Sequence, residues 1–211
     1  MGTPVFMNKF GRFYGLGVGP GDRVAIMQVN CNEHLEAYFA SAKLDAVFVP
    51  VNFRARADEL TFMLNDSGSK ILILGQRYQD IVSSIRANLT SVTHVITLEA
   101  PGEGFLYYDE LLENASDEER FPEYDDDDLT IIMFTAGTTG TPKGVMLSHG
   151  SFSSYILNNV NPVEPDEDVE KNILTVPLHH IAGIQAVMAA IYGGRTLITQ
   201  RQFEEEEWMQ L

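Results

Sequence analysis

The stretch Leu129–Gly150, LTIIMFTAGTTGTPKGVMLSHG, decides how the chain is read. Its opening residues, Leu129 to Phe134, are apolar and partly β-branched, which predicts a short buried strand. Such a strand delivers Thr135 to Thr141 at its carboxyl end, where open α/β sheets hold their ligands. Gly137 and Gly140 permit positive φ and close backbone approach, so consecutive amides can converge on an anion. Thr135, Thr138, Thr139 and Thr141 add hydroxyl donors. Lys143, between the rigid Pro142 and Gly144, can lay a point charge on an outer phosphate. A plain surface turn rich in Gly and Thr seldom needs so many donors and a lysine, so the stretch reads as a polyphosphate cradle. It is not the P-loop, whose motif has Gly directly before the Lys and Ser or Thr after it.

The segment FTAGTTGTPKGVMLSHG resembles the phosphate-loop signature of the AMP-forming adenylating enzymes. That superfamily contains acyl-CoA synthetases, peptide-synthetase adenylation domains and firefly luciferase. Ala136 departs from the pattern, which more often has Ser there. The resemblance implies a nucleotide-binding role for Thr135, Ala136, Gly137, Thr138, Thr139, Gly140, Thr141 and Lys143, with Lys143 and Thr139 acting in catalysis.

The chain has 211 residues, 45% of them hydrophobic, enough to bury a substantial core. Its 14 basic residues face 30 acidic ones, a formal charge of −16. That field opposes nucleic acid and anionic membrane, so a small anion needs a local site such as Lys143 and the loop amides. The single cysteine, Cys31, excludes an internal disulfide and fits a reducing compartment. No run approaches the roughly 20 apolar residues that span a bilayer, and the start lacks a secretory pattern. A cytoplasmic protein is expected.

Upstream of the loop, the pattern predicts alternating strands and helices. A helix with Phe10, Phe13 and Tyr14 precedes a turn at 17–21, and Val24–Val29 reads as a strand. Asn30 and Asn32 are candidate caps for a helix with Leu35, Tyr38, Phe39 and Ala42 on its core face. Ala46–Val51 is a second strand, so the unit is a parallel βαβ. It resembles the same family's early segment, with Asp45 where a glycine is usual. A left-handed helix end is expected at Asp45. Further helices are expected around 58–64 and 78–89, and further strands at Lys70–Leu74 and His94–Leu98. His34 and His94 lack neighbours at metal-ligand spacing and read as ordinary, partly buried histidines. The acidic run ending at Asp125–Asp128 lacks the Gly and closing Glu of a calcium loop and reads as a solvated approach to the loop strand.

Beyond the loop, Ser148 or His149 starts a helix through Asn158 whose dipole could assist a phosphate if its N-terminus points that way. Asn172–Val176 reads as a strand that ends in Pro177-Leu178-His179-His180-Ile181-Ala182-Gly183. Adjacent histidines at a strand end place an imidazole at the same carboxyl edge as the phosphate loop. The segment resembles the family's PLFHIAG, which implies that His180 and Gly183 contact the carboxylic acid and that His179, in place of Phe, makes the acid wall more polar. Thr196–Thr199 is a further strand and a helix opens at Phe203.

The resemblance covers essentially all of the chain. It implies an α/β fold of layered sheets flanked by helices, the front part of the large N-terminal domain of an acyl-CoA synthetase-like enzyme. Residues 1–211 then form an incomplete AMP-binding domain, cut at both ends and without the C-terminal lid domain. The implied activity is an ATP-dependent acid–thiol ligase acting on a fatty or aryl carboxylic acid through an acyl adenylate, with Mg2+ and CoA taking part. The metal ligands lie outside this segment, so no metal site is assigned here. The fragment alone is expected to be inactive, and self-association as a homodimer is left open. Two alternatives stand: an adenylation domain that loads a carrier protein, and a non-catalytic nucleotide-binding module of the same fold.

Overall fold

The computed structural model describes residues 10–113, 123–135, 141–162 and 170–210. A short helix, α1 (Phe10–Gly15), leads into β1 (Arg23–Met27), α2 (Asn32–Ala42) and β2 (Val47–Pro50). Then come α3 (Ala57–Ser67), β3 (Ile71–Leu74), α4 (Gln79–Ile85) and β4 (His94–Thr97). The acidic region opens with β5 (Leu106–Tyr107) and α5 (Tyr108–Glu113), two elements that its composition conceals. The decisive stretch supplies β6 (Leu129–Thr135), β7 (Lys143–Ser148) and α6 (His149–Asn159). The chain continues through β8 (Lys171–Leu174), α7 (Ile181–Tyr192), β9 (Thr196–Thr199) and α8 (Glu205–Trp208).

Among the described residues, seven strands form one sheet in the order β5-β4-β3-β1-β2-β6-β7. All neighbouring pairs are parallel except β6 with β7. Read through β2, β1, β3, β4 and β5, this is a doubly wound order, because the crossover through α3 carries the chain back past β1. Alternate strand residues point to opposite faces and build two cores. Val24, Ile26, Phe48, Ile71, Ile73 and Ile131 meet α1, α2, α6 and α7 on one face. Ala25, Met27, Val49, Leu72, Leu74 and Ile132 meet α3 and α4 on the other. Burial on both faces explains why these strands are almost continuously apolar in sequence.

The βαβ expectation holds: Arg23 to Ile26 pair with Val47 to Pro50 in parallel register. Asp45 takes the left-handed conformation expected of it, with φ 54°. Gly68 ends α3 in the same region and donates its amide to the carbonyl of Asn65.

Three local expectations are corrected. Cys31, not Asn30 or Asn32, is the N-cap of α2 and makes no side-chain capping bond. Asn32 donates to Glu36 instead, at 2.9 Å, and Asn30 turns toward the next layer. Helix α2 buries His34, Glu36, Ala37, Tyr38 and Ala40, while Leu35, Phe39 and Ala42 of the expected core face are only half-buried, because it is packed between the sheet and neighbouring helices. Glu36 is tolerated there because Tyr108 and Asn32 both donate to its carboxylate. Finally, β8 does not join the main sheet: among the described residues it pairs with β9 alone, in a separate parallel sheet of two strands. Among the described residues, no helix is long and apolar enough to cross a membrane.

Candidate functional site

The phosphate-loop stretch closes as a hairpin rather than as a strand running into a helix. Thr135 pairs with Lys143, Phe134 with Gly144 and Met133 with Val145. The Thr135 hydroxyl lies 3.5 Å from the carbonyl of Lys143, so the two ends of the loop are clasped together. Because β6 runs parallel to β2, through the pairing of Phe48 with Ile131, the clasp stands at the carboxyl edge shared by β1 to β4. Thr135, Thr141 and Lys143 are exposed at that edge. The assigned residues Ala136, Gly137, Thr138, Thr139 and Gly140 lie outside the described residues.

The helix-dipole expectation fails on topology. Ser148 pairs with Leu129, at the amino end of β6, so α6 begins at the far end of the hairpin. At about 3.3 Å per residue, the six residues of β7 put its N-terminus roughly 20 Å from the loop. The helix is capped locally, since Ser148 accepts from the amide of Ser151. The amides of His149 and Gly150 donate to the carbonyls of Asp128 and Asp126. The acidic run is thus an exposed turn tying the base of the hairpin to α6, with Tyr124 stacked on His149 at 4.2 Å.

The two histidines reach the same edge from the other sheet. Beyond β8 the chain turns at Pro177, whose carbonyl accepts the amide of His180 at 3.0 Å. His180 is the exposed N-cap residue of α7. His179 is buried, edge-on to Phe53 at 5.3 Å and 80°, and Phe53 lies three residues past β2. Since β2 neighbours β6, the histidine pair stands at the carboxyl end of the strand next to the clasped hairpin. Sequence reading gave Phe53 and Arg54 no part here. Only the fold sets the Phe53 ring against His179, with the Arg54 guanidinium 4.9 Å from the ring centre.

Burial sets the charge state of this layer. The His179 imidazole is pushed down to about 4, first by desolvation and then by His180, His34 and Arg54. His34 is pushed down to about 4 by burial, offset in part by its 3.0 Å contact with the carbonyl of Gln28. Both are neutral near pH 7, and His179 behaves as an aromatic filler with a polar tip. Gly183 is buried where a Cβ would stand 2.5 Å from the carbonyl of Pro177, so only glycine lets the first turn of α7 close under His180. Burial also pushes the Cys31 thiol far up, which leaves it inert as a nucleophile.

Residues 11–211 match the family model described as AMP-binding enzyme. Over 192 residues the chain is 35% identical to the long-chain-fatty-acid–CoA ligase FadD13 of Mycobacterium tuberculosis. It is 31% identical over 192 residues to the indoleacetate–CoA ligase of Aromatoleum aromaticum. In each case 90% of this chain is aligned, and it spans 37% of the relative's length. The inhibitor-bound N-terminal domain of FACL13 from Mycobacterium tuberculosis superposes with a TM-score of 0.84 at 32% identity, covering 97% of this chain and 50% of that domain. Clasped loop, neighbouring histidines, doubly wound sheet and a family match over nearly the whole length agree: the chain belongs to the AMP-binding enzyme family.

Proposed function

We propose that residues 1–211 are the front part of the large domain of an AMP-forming CoA ligase, carrying its phosphate clamp and one wall of its acid site. The observation that carries this reading is the Thr135–Lys143 clasp at the carboxyl edge of β6, with His179 and His180 beside it over β2. The loop amides and the hydroxyls of Thr135, Thr138, Thr139 and Thr141 hold the outer phosphates of ATP. Lys143 balances the charge that gathers on pyrophosphate as the carboxylate oxygen attacks the α-phosphorus. The products of that step are acyl adenylate and pyrophosphate, and the CoA thiol then displaces AMP to give the thioester.

His180 and Gly183 form the acid wall, His180 by its exposed imidazole and Gly183 by letting α7 approach. The substrate class is a fatty or aryl carboxylic acid, supported by the fatty-acid and indoleacetate specificities in the names of the two relatives. Among the described residues, no group of three or more His, Cys, Asp and Glu side chains is placed to hold a metal ion. The reaction is assigned to the cytoplasm, whose reducing conditions suit the unpaired Cys31.

Calorimetric titration of the 211-residue chain with pyrophosphate and with ATP tests the clamp. Lys143→Ala weakens pyrophosphate binding about tenfold, the effect of about 1.4 kcal/mol from one charge-assisted contact. Equal affinity in wild type and variant removes Lys143 from the site. The chain by itself catalyses no carboxylate-dependent exchange between ATP and labelled pyrophosphate, and measurable exchange refutes the incomplete-domain reading.

A further inference from the structure

One side chain joins the carboxyl ends of three strands. Asn30 follows β1 and is 3% exposed. Its Nδ2 donates to the carbonyls of Val176, at 3.0 Å, and Gln200, at 3.1 Å. Its Oδ1 accepts the amide of Leu178 at 2.9 Å, and its own amide donates to the carbonyl of Arg201 at 3.1 Å. Val176 and Leu178 flank Pro177 at the exit of β8, while Gln200 and Arg201 form the exit of β9. A carboxamide offers two donors and an acceptor at one point, and no hydroxyl, carboxylate or apolar side chain can make all three bonds.

The clamp matters because β8 and β9 pair with each other and with no strand of the main sheet. Their exit loops are therefore set against that sheet by side-chain and loop contacts. From Asn30 the connection runs through Val176 and Leu178 to the Pro177 carbonyl, and from there to the amide of His180. The same turn presses His179 onto Phe53. We propose that Asn30 is a positioning residue for the acid-activation step, holding His179 and His180 over the carboxyl end of β2 beside the phosphate clamp. This rests on the function proposed above, since that function gives the placement of His180 its purpose.

Imidazole nitrogen spectra of the 211-residue chain, recorded from pH 3 to 8, test it. Asn30→Leu preserves volume and loses all three side-chain bonds, while Asn30→Ser can keep one donor and one acceptor. In Asn30→Leu the His179 midpoint rises from about 4 by at least one pH unit toward the ordinary 6.5, as the ring leaves Phe53 and gains water. Asn30→Ser shows a smaller rise. The charged and titratable neighbours of His179, which are His180, His34 and Arg54, are the same in both variants. His34 is held by the carbonyl of Gln28 and keeps its midpoint. An unmoved His179, or His34 and His179 moving together, overturns the inference, the second because it marks general loosening. Should neither variant fold, amide exchange in the wild type decides: a Leu178 amide that exchanges at the open-chain rate overturns the clamp. Pyrophosphate affinity stays within twofold in the variants, because the β6–β7 hairpin is untouched. Wild type that binds no pyrophosphate overturns the proposed function and the catalytic purpose of the clamp, while the His179 shift separates that failure from failure of the clamp itself.

Discussion

The two sheets of this chain, one parallel but for β7 and one wholly parallel, are built on the same βαβ unit and are buried very differently. Every residue of β3 is buried, as are all but the first of β1, because helices cover both faces of the main sheet. In the smaller sheet only Leu174 of β8 is fully buried, and β9 has no fully buried residue. Helix α7 packs Ile184 and Val187 into the core shared with α2 and α6, so the second unit is held mainly through its helix and exit loops. Parallel strands are ordinarily covered on both faces, and β8–β9 departs from that rule. The main sheet thus supplies rigidity and the proposed phosphate clamp, while the smaller one presents the histidines from exit loops bonded to Asn30.

The contrast is broken most sharply by emptying one core position in each unit. Leu72→Ala, at the centre of β3, costs about 3 kcal/mol in urea unfolding, whereas Ile198→Ala in the half-buried β9 costs about 1 kcal/mol. Equal losses contradict the difference in packing.

A second comparison uses pH. His34 in the main unit and His179 in the smaller one both have folded-state values near 4, below the ordinary 6.5. As pH falls from 6.5, the unfolded chain takes up these protons first, so stability is complete above about 6.5 and declines toward pH 4. The loss levels off at about 3 kcal/mol for each histidine. His34→Gln and His179→Phe each flatten that part of the acid limb. Unchanged limbs in both variants refute buried neutral imidazoles.

The smallest effects concern backbone conformation at the entry to a strand. Asp45 precedes β2 at φ 54°, and Gly194 precedes β9 at φ 70° with open space where a Cβ would go. Asp45→Gly raises stability by about 0.5 kcal/mol and Gly194→Ala lowers it by about 1 kcal/mol, both read from thermal unfolding. Matching signs would show that strain is not the governing term at one of them.

Much of the fold was legible because each local signal had one physical meaning. The short apolar runs at 24–29, 46–51, 70–74, 94–98 and 129–134 each hold a strand, since a strand buried on both faces stays apolar without alternation. The left-handed turn at Asp45 follows from its place after a helix, and Ser148 caps α6 because a hydroxyl there can accept an orphan amide. The proposed phosphate clamp rests on composition, since glycines, threonines and a lysine seldom gather without an anion to hold.

Tertiary structure alone decided how these parts meet. Sequence periodicity is silent on which strands share a sheet, so the assignment of β8 to a second sheet, the reversal at β7 and the orientation of α6 away from the loop all had to come from pairing. Asn30 read as a helix cap because capping is a local interaction; its actual partners lie more than 140 residues away. The family's phosphate-loop motif is local and chemical, and the chain carries it openly. The placement of His180 beside it is a long-range event, set by one buried carboxamide bridging two sheets.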